Sequence, residues 1–106
     1  MTTTSRSSRR RPDDPLAAIS ETAAEIREYR EIPDHILWSL YRYLEHRSRP
    51  GDFVAAVLSN DLKGAVSYAD SATAEKLPEI VRLVQNHFPS DVWGDRETFE
   101  NYTAGG

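Results

Sequence analysis

Pro50-Gly51-Asp52-Phe53-Val54-Ala55-Ala56-Val57-Leu58-Ser59-Asn60-Asp61-Leu62-Lys63-Gly64-Ala65-Val66-Ser67-Tyr68-Ala69-Asp70 is the stretch whose reading decides the fold. Phe53, Ala56 and Val57 recur at helical spacing, and Leu62, Ala65, Val66 and Ala69 continue that period beyond a polar insertion, Ser59-Asn60-Asp61. Short Asn and Asp side chains compete for backbone groups and favour helix ends over interiors. The stretch therefore predicts a short helix, a tight break at Ser59-Asn60, and a second helix capped there. Gly64, inside the second helix, costs about 1 kcal/mol relative to Ala, which implies that another backbone or a ligand comes close.

The flanks read as helices that pack on this pair. Asp13-Asp14-Pro15 starts one, with Leu16, Ile19, Ala23, Ile26 and Tyr29 or Arg30 as a thin apolar stripe. Ile32-Pro33-Asp34 opens another, running to about Arg47 with Ile36, Leu37, Leu40, Tyr41 and Leu44 on its buried side. After Pro50-Gly51 and the central pair, Ser71-Ala-Thr-Ala-Glu75 supplies capping groups. Leu77, Ile80, Val81, Val84 and Phe88 then form a clear stripe, with Pro78 in the first turn. Trp93 is placed as a lid on the core, and Phe99 and Tyr102 as anchors of a last short helix, before a frayed tail at 103–106. No strand alternation persists. The expectation is an all-α bundle of four to six short helices, one domain over residues 13–102, behind a disordered Ser/Thr/Arg-rich tail at 1–12.

Composition narrows the chemistry. With 39% hydrophobic and 28% charged residues the chain is of the ordinary globular kind. Having no cysteine, it cannot form disulfides, Cys-based zinc sites or thiol nucleophiles. No apolar run reaches the roughly 18 residues of a membrane span, and no apolar segment follows the basic N-terminus, so a cytoplasmic protein without membrane contact is expected. Four of the thirteen basic residues, Arg6, Arg9, Arg10 and Arg11, lie in the tail; the rest of the chain holds nine basic and seventeen acidic residues, a net of −8. Such a body is a poor partner for phosphate backbones, so nucleic acid is expected only through those four arginines.

Candidate site residues cluster on the central stretch. Asn60 and Asp61 can present amide and carboxylate groups to a ribose or base edge, with Gly64 and Tyr68 on neighbouring turns, Gly51 permitting close approach, and His46 beside the Pro50-Gly51 turn. Capping of the helix by Asn60 or Asp61 is the competing explanation. His35, His46 and His87 fall in no metal-ligand spacing, and nothing places a nucleophile or oxyanion pocket beside the carboxylates. No catalytic residue, metal or cofactor is expected. Tyr41 and Tyr43 cannot share one helix face, so at least one aromatic among Trp38, Tyr41 and Tyr43 should look outward.

Across residues 32–94 the chain resembles a family of small uncharacterised proteins encoded by bacteriophages and prophages. The likeness is carried by Ile32-Pro33-x-His35, Leu40-x-Arg42-Tyr43-x-Glu45-His46, Pro50-Gly51-x-Phe53-x-x-Ala56-Val57-Leu58-x-Asn60-Asp61-Leu62, Ala65-Val66, Ala69-Asp70 and Pro89-Ser90-x-x-Trp93-Gly94. The resemblance implies a soluble viral accessory protein without an enzymatic role. Such proteins counter host defence by sequestering a nucleotide signal or by gripping a defence protein. The combined expectation is a non-catalytic homo-oligomer that binds a nucleotide-like ligand where Pro50-Gly51 and Asn60-Asp61 meet a neighbouring chain. The alternatives are an inhibitor or adaptor acting on a host protein, and a factor touching nucleic acid through the arginine-rich tail.

Overall fold

The structure, a computed structural model, describes residues 13–105; the expectations for the arginine tail lie outside them. The described residues are helical, with no strand among them. In chain order the elements are α1 (Pro15–Ile19), α2 (Glu21–Ala24), a 3₁₀ helix (Arg27–Glu31), α3 (Asp34–His46), α4 (Asp52–Leu58), α5 (Leu62–Tyr68), α6 (Ser71–Glu75), α7 (Leu77–His87) and α8 (Arg96–Ala104). The all-α expectation holds, but eight α-helices among the described residues exceed the four to six expected.

The excess comes from polar residues that end one helix while starting the next. Ser20, extended at φ −164°, closes α1, and its hydroxyl accepts the Ala23 amide at 3.2 Å to open α2. Asp14 caps α1 through the Leu16 amide at 3.1 Å and also takes the Arg30 guanidinium at 3.0 Å. Arg30 in turn donates to the Ala24 carbonyl at 3.0 Å, so one side chain ties the end of α2 to the start of α1. The expected single N-terminal helix is thus three pieces. They are firmly docked, with Leu16, Ala23 and Tyr29 buried. Likewise the Ser71–Glu75 run is a helix of its own, capped by Asp70 on the Thr73 amide at 2.8 Å. Leu77 and Pro78 form the first turn of α7 as expected.

α3 buries Ile36, Leu37, Leu40 and Tyr43 at spacings of one, three and three, the wide apolar face of a core helix. Tyr43 is fully enclosed, while Trp38 and Tyr41 are half-buried. The α3 face meets α4, and α4 packs closely on α5; Ile80, Leu83 and Val84 of α7 and Phe99 of α8 complete the core. α8 extends through Ala104, so Thr103 and Ala104 belong to a helix and not to a frayed end. The Thr103 hydroxyl bonds back to the Phe99 carbonyl at 3.1 Å.

Candidate functional site

The corner between α4 and α5 is built by two successive residues. Asn60 sits in the left-handed region at φ 59°, which Asn tolerates better than most residues. There its amide reaches the Val57 carbonyl at 3.0 Å, and the Asp61 amide reaches Ala56 at 2.8 Å. These paired bonds satisfy the last carbonyls of α4. Asp61 then caps α5, its Oδ1 accepting the Gly64 amide at 3.0 Å. The expected short helix, break and capped second helix are all present.

Gly64 is explained by that cap: a Cβ there would lie 2.4 Å from Asp61 Oδ2. What comes close is the chain's own carboxylate.

The corner borders an open hollow of about 310 Å³ lined by Ala56, Val57, Asn60, Asp61, Leu62, Ala65, Leu77, Val81, Gln85 and Trp93. Leu77, Val81 and Gln85 stand four residues apart along α7 and give one wall. Trp93 is held there by its neighbours: the Gly94 amide, at φ +120°, donates to the Leu58 carbonyl at 2.9 Å, and the buried Tyr43 hydroxyl donates to the Val92 carbonyl. Most of the lining is apolar. Its polar groups are the Asn60 and Gln85 amides and the Asp61 carboxylate, with no Lys or Arg among the lining residues. The Asn60 side chain is exposed to solvent and has no hydrogen-bond partner among the described residues.

One feature departs from the apolar periodicity. Leu62 is 68% exposed and Val66 58%, although their spacing matches that of the buried Ala65. The corner turns α5 so that Ala65 faces the core and the Leu62–Val66 stripe lies to its side. Tyr68, also 58% exposed, ends the helix.

The six residues singled out in the sequence are not gathered in one place. Asn60 and Asp61 line the hollow, and Gly64 lies under Asp61. Tyr68 stands at the far end of α5. Gly51 lines a separate depression of about 350 Å³ with His35, Ser39, Arg42 and Asp52. His46 is exposed, its ring edge-on to Tyr41 with centroids 5.7 Å apart. Sequence reading missed Gln85 and Val81 as lining residues; the four-residue spacing from Leu77 was the available signal. Trp93 packs against the core as expected and also faces the hollow.

Among the described residues no group of three or more His, Cys, Asp or Glu could hold a metal ion, and no helix is long and apolar enough to cross a membrane. No protein-family model, curated protein or solved structure matches the chain.

Proposed function

We propose that the chain is a non-catalytic binding protein of the phage accessory type, which sequesters a small nucleotide-like ligand in the hollow beside the α4–α5 corner. The observation that carries this is the Asn60 amide, exposed and free to bond, on the lining of a largely apolar hollow that also holds an indole. An aromatic ring with amide and carboxylate groups around it is the chemistry that recognises a base, through its π face and its hydrogen-bonding edge. A volume of about 310 Å³ lies at the small end of ligand sites, roughly 300–1,000 Å³. With Asp61 as its charged member, the hollow suits the neutral base and leaves the phosphates outside it.

A second reading, an inhibitor that grips a host protein, is favoured by the exposed Leu62 and Val66, since apolar residues standing together on a surface mark contact sites. Calorimetry against a panel of mono-, di- and cyclic nucleotides separates the two. Heat with one member, reduced by Asn60→Ala and by Trp93→Ala, supports sequestration. Absence of heat with every member, together with a protein retained from bacterial lysate by wild type and lost with Leu62→Asp, supports the inhibitor.

A further inference from the structure

We infer that the depression between the end of α3 and the face of α8 is a second binding site, separate from the hollow, and that it takes a free α-amino acid in its dipolar form. It measures about 400 Å³ and is lined by Arg47, Asp91, Val92, Thr98, Asn101 and Tyr102. That volume falls within the roughly 300–1,000 Å³ of small-ligand sites. It shares no lining residue with the hollow.

α3 ends on Arg47 at φ 57°, in the left-handed position where glycine ordinarily stands. The Arg47 amide bonds the Tyr43 carbonyl at 3.0 Å and the Ser48 amide bonds Arg42 at 3.3 Å, so backbone alone closes the helix. Chain geometry there asks for no arginine; what arginine adds is its side chain. The guanidinium lies over the Tyr102 ring, 4.6 Å from its centroid, and beside Gly105, where a Cβ would collide with Nη1. The ring itself is fixed. Its hydroxyl donates to the Leu44 carbonyl at 2.6 Å, and its centroid lies 4.9 Å from that of Tyr43. A guanidinium stacked by its face keeps its in-plane N–H groups for an acceptor, in the fork that matches a carboxylate.

Asp91 supplies the opposite charge. The carbonyl of Val92, the next residue, accepts from the Tyr43 hydroxyl, so the tyrosine that backs the Tyr102 ring also anchors the segment carrying Asp91. Neither Arg47 nor Asp91 has an ion-pair partner among the described residues. Asn101, one turn after Thr98 on α8, adds an exposed amide that both donates and accepts. The carboxylate of Asp95 is spent on capping, accepting the Thr98 amide at 2.7 Å.

A lining with one guanidinium and one carboxylate is neutral as a whole. It disfavours a lone anion or a lone cation and complements a ligand that carries both charges close together. An α-amino acid does so, its carboxylate on Arg47 and its ammonium on Asp91, with the Asn101 amide able to serve either.

Amide spectra of the isotope-labelled full chain, titrated with each of the common free L-amino acids, test this. A concentration of about 10 mM fills a site of millimolar Kd. At least one amino acid should move the amides of residues 47, 91, 98 and 101, whereas sodium acetate and methylammonium chloride, each with half of the charges, should not. Arg47→Gly, which keeps the left-handed turn, and Asp91→Asn should each weaken that binding about tenfold or more with helical circular dichroism unchanged. The inference is overturned if no amino acid moves these amides, if acetate moves them as strongly, or if either variant leaves the affinity intact. Nucleotide calorimetry on the hollow is read independently, since the two sites have no residue in common.

Discussion

The carboxylate of Asp61 lies directly over the α-carbon of Gly64: Oδ1 accepts the Gly64 amide at 3.0 Å, and a methyl on residue 64 would meet Oδ2 at 2.4 Å. In Gly64→Ala the carboxylate must move aside, and the loss of its cap, about 1 kcal/mol, should cancel the similar gain that Gly→Ala ordinarily brings within a helix, leaving stability close to wild type. Chemical denaturation of Gly64→Ala, Asp61→Ala and the double variant checks this. The two effects should not add: in the Asp61→Ala background no carboxylate stands in the way, and Gly64→Ala should recover its ordinary gain of about 1 kcal/mol.

Asn60 at φ 59° sets a different rule at the corner. A β-branched residue there is a steric outlier, so Asn60→Val should cost about 1–2 kcal/mol, read as a lower urea midpoint at constant slope.

Tyr43 is enclosed, and burial followed by the neighbouring Tyr102 pushes its phenol well above the ordinary tyrosine range, so it stays a neutral donor to the Val92 carbonyl. Tyr43→Phe leaves that carbonyl without its donor at a cost of about 1–3 kcal/mol. Because residues 92–94 carry Trp93 into the hollow, the variant should also shift tryptophan emission to longer wavelength.

Acid should lower the stability of the chain through its paired surface carboxylates. Asp70 and Asp95 accept the Thr73 and Thr98 amides, and Glu100 and Glu31 take Arg49 and Lys76; each is held below its ordinary value of 3.8 or 4.5. A carboxyl depressed in the folded state contributes stability above its unfolded value and loses it as pH falls through the folded one. The unfolding free energy should thus be level from about pH 7 to 6 and fall steadily from about pH 5 to below 3. Asp95→Asn, which keeps a capping oxygen, should flatten part of that fall.

The helical corner and the long helices were legible because their signals are local. Asn60-Asp61 interrupts an apolar period, Pro78 fits a first turn, and Ile36, Leu37 and Leu40 repeat at helical spacing. The period carries that stripe on to Tyr41 and Leu44, whereas the structure encloses Tyr43 and leaves those two half-buried. The division of the N-terminal region was not. Ser20 reads as an ordinary helix residue until its hydroxyl is seen capping Ala23, with Arg30 clasping both Asp14 and the Ala24 carbonyl across the chain. The same limit applies to the site. Asn60 and Asp61 stood out as polar residues in a greasy run, whereas Gln85 and Trp93 join them only through the packing of α7 and the Gly94–Leu58 bond. The period of Leu62 and Val66 predicts that they are inside, yet both are exposed; the direction in which a corner turns the following helix is not written in that period.

Whether Asn60 serves recognition or chain geometry alone is decided by Asn60→Gly, since glycine adopts φ 59° without strain and has no amide to offer. Denaturation and nucleotide calorimetry on this one variant are the measurement. The account predicts a denaturation midpoint close to wild type and an affinity weakened about three- to tenfold, the loss of one or two hydrogen bonds. A variant that binds its nucleotide as tightly as wild type would contradict it.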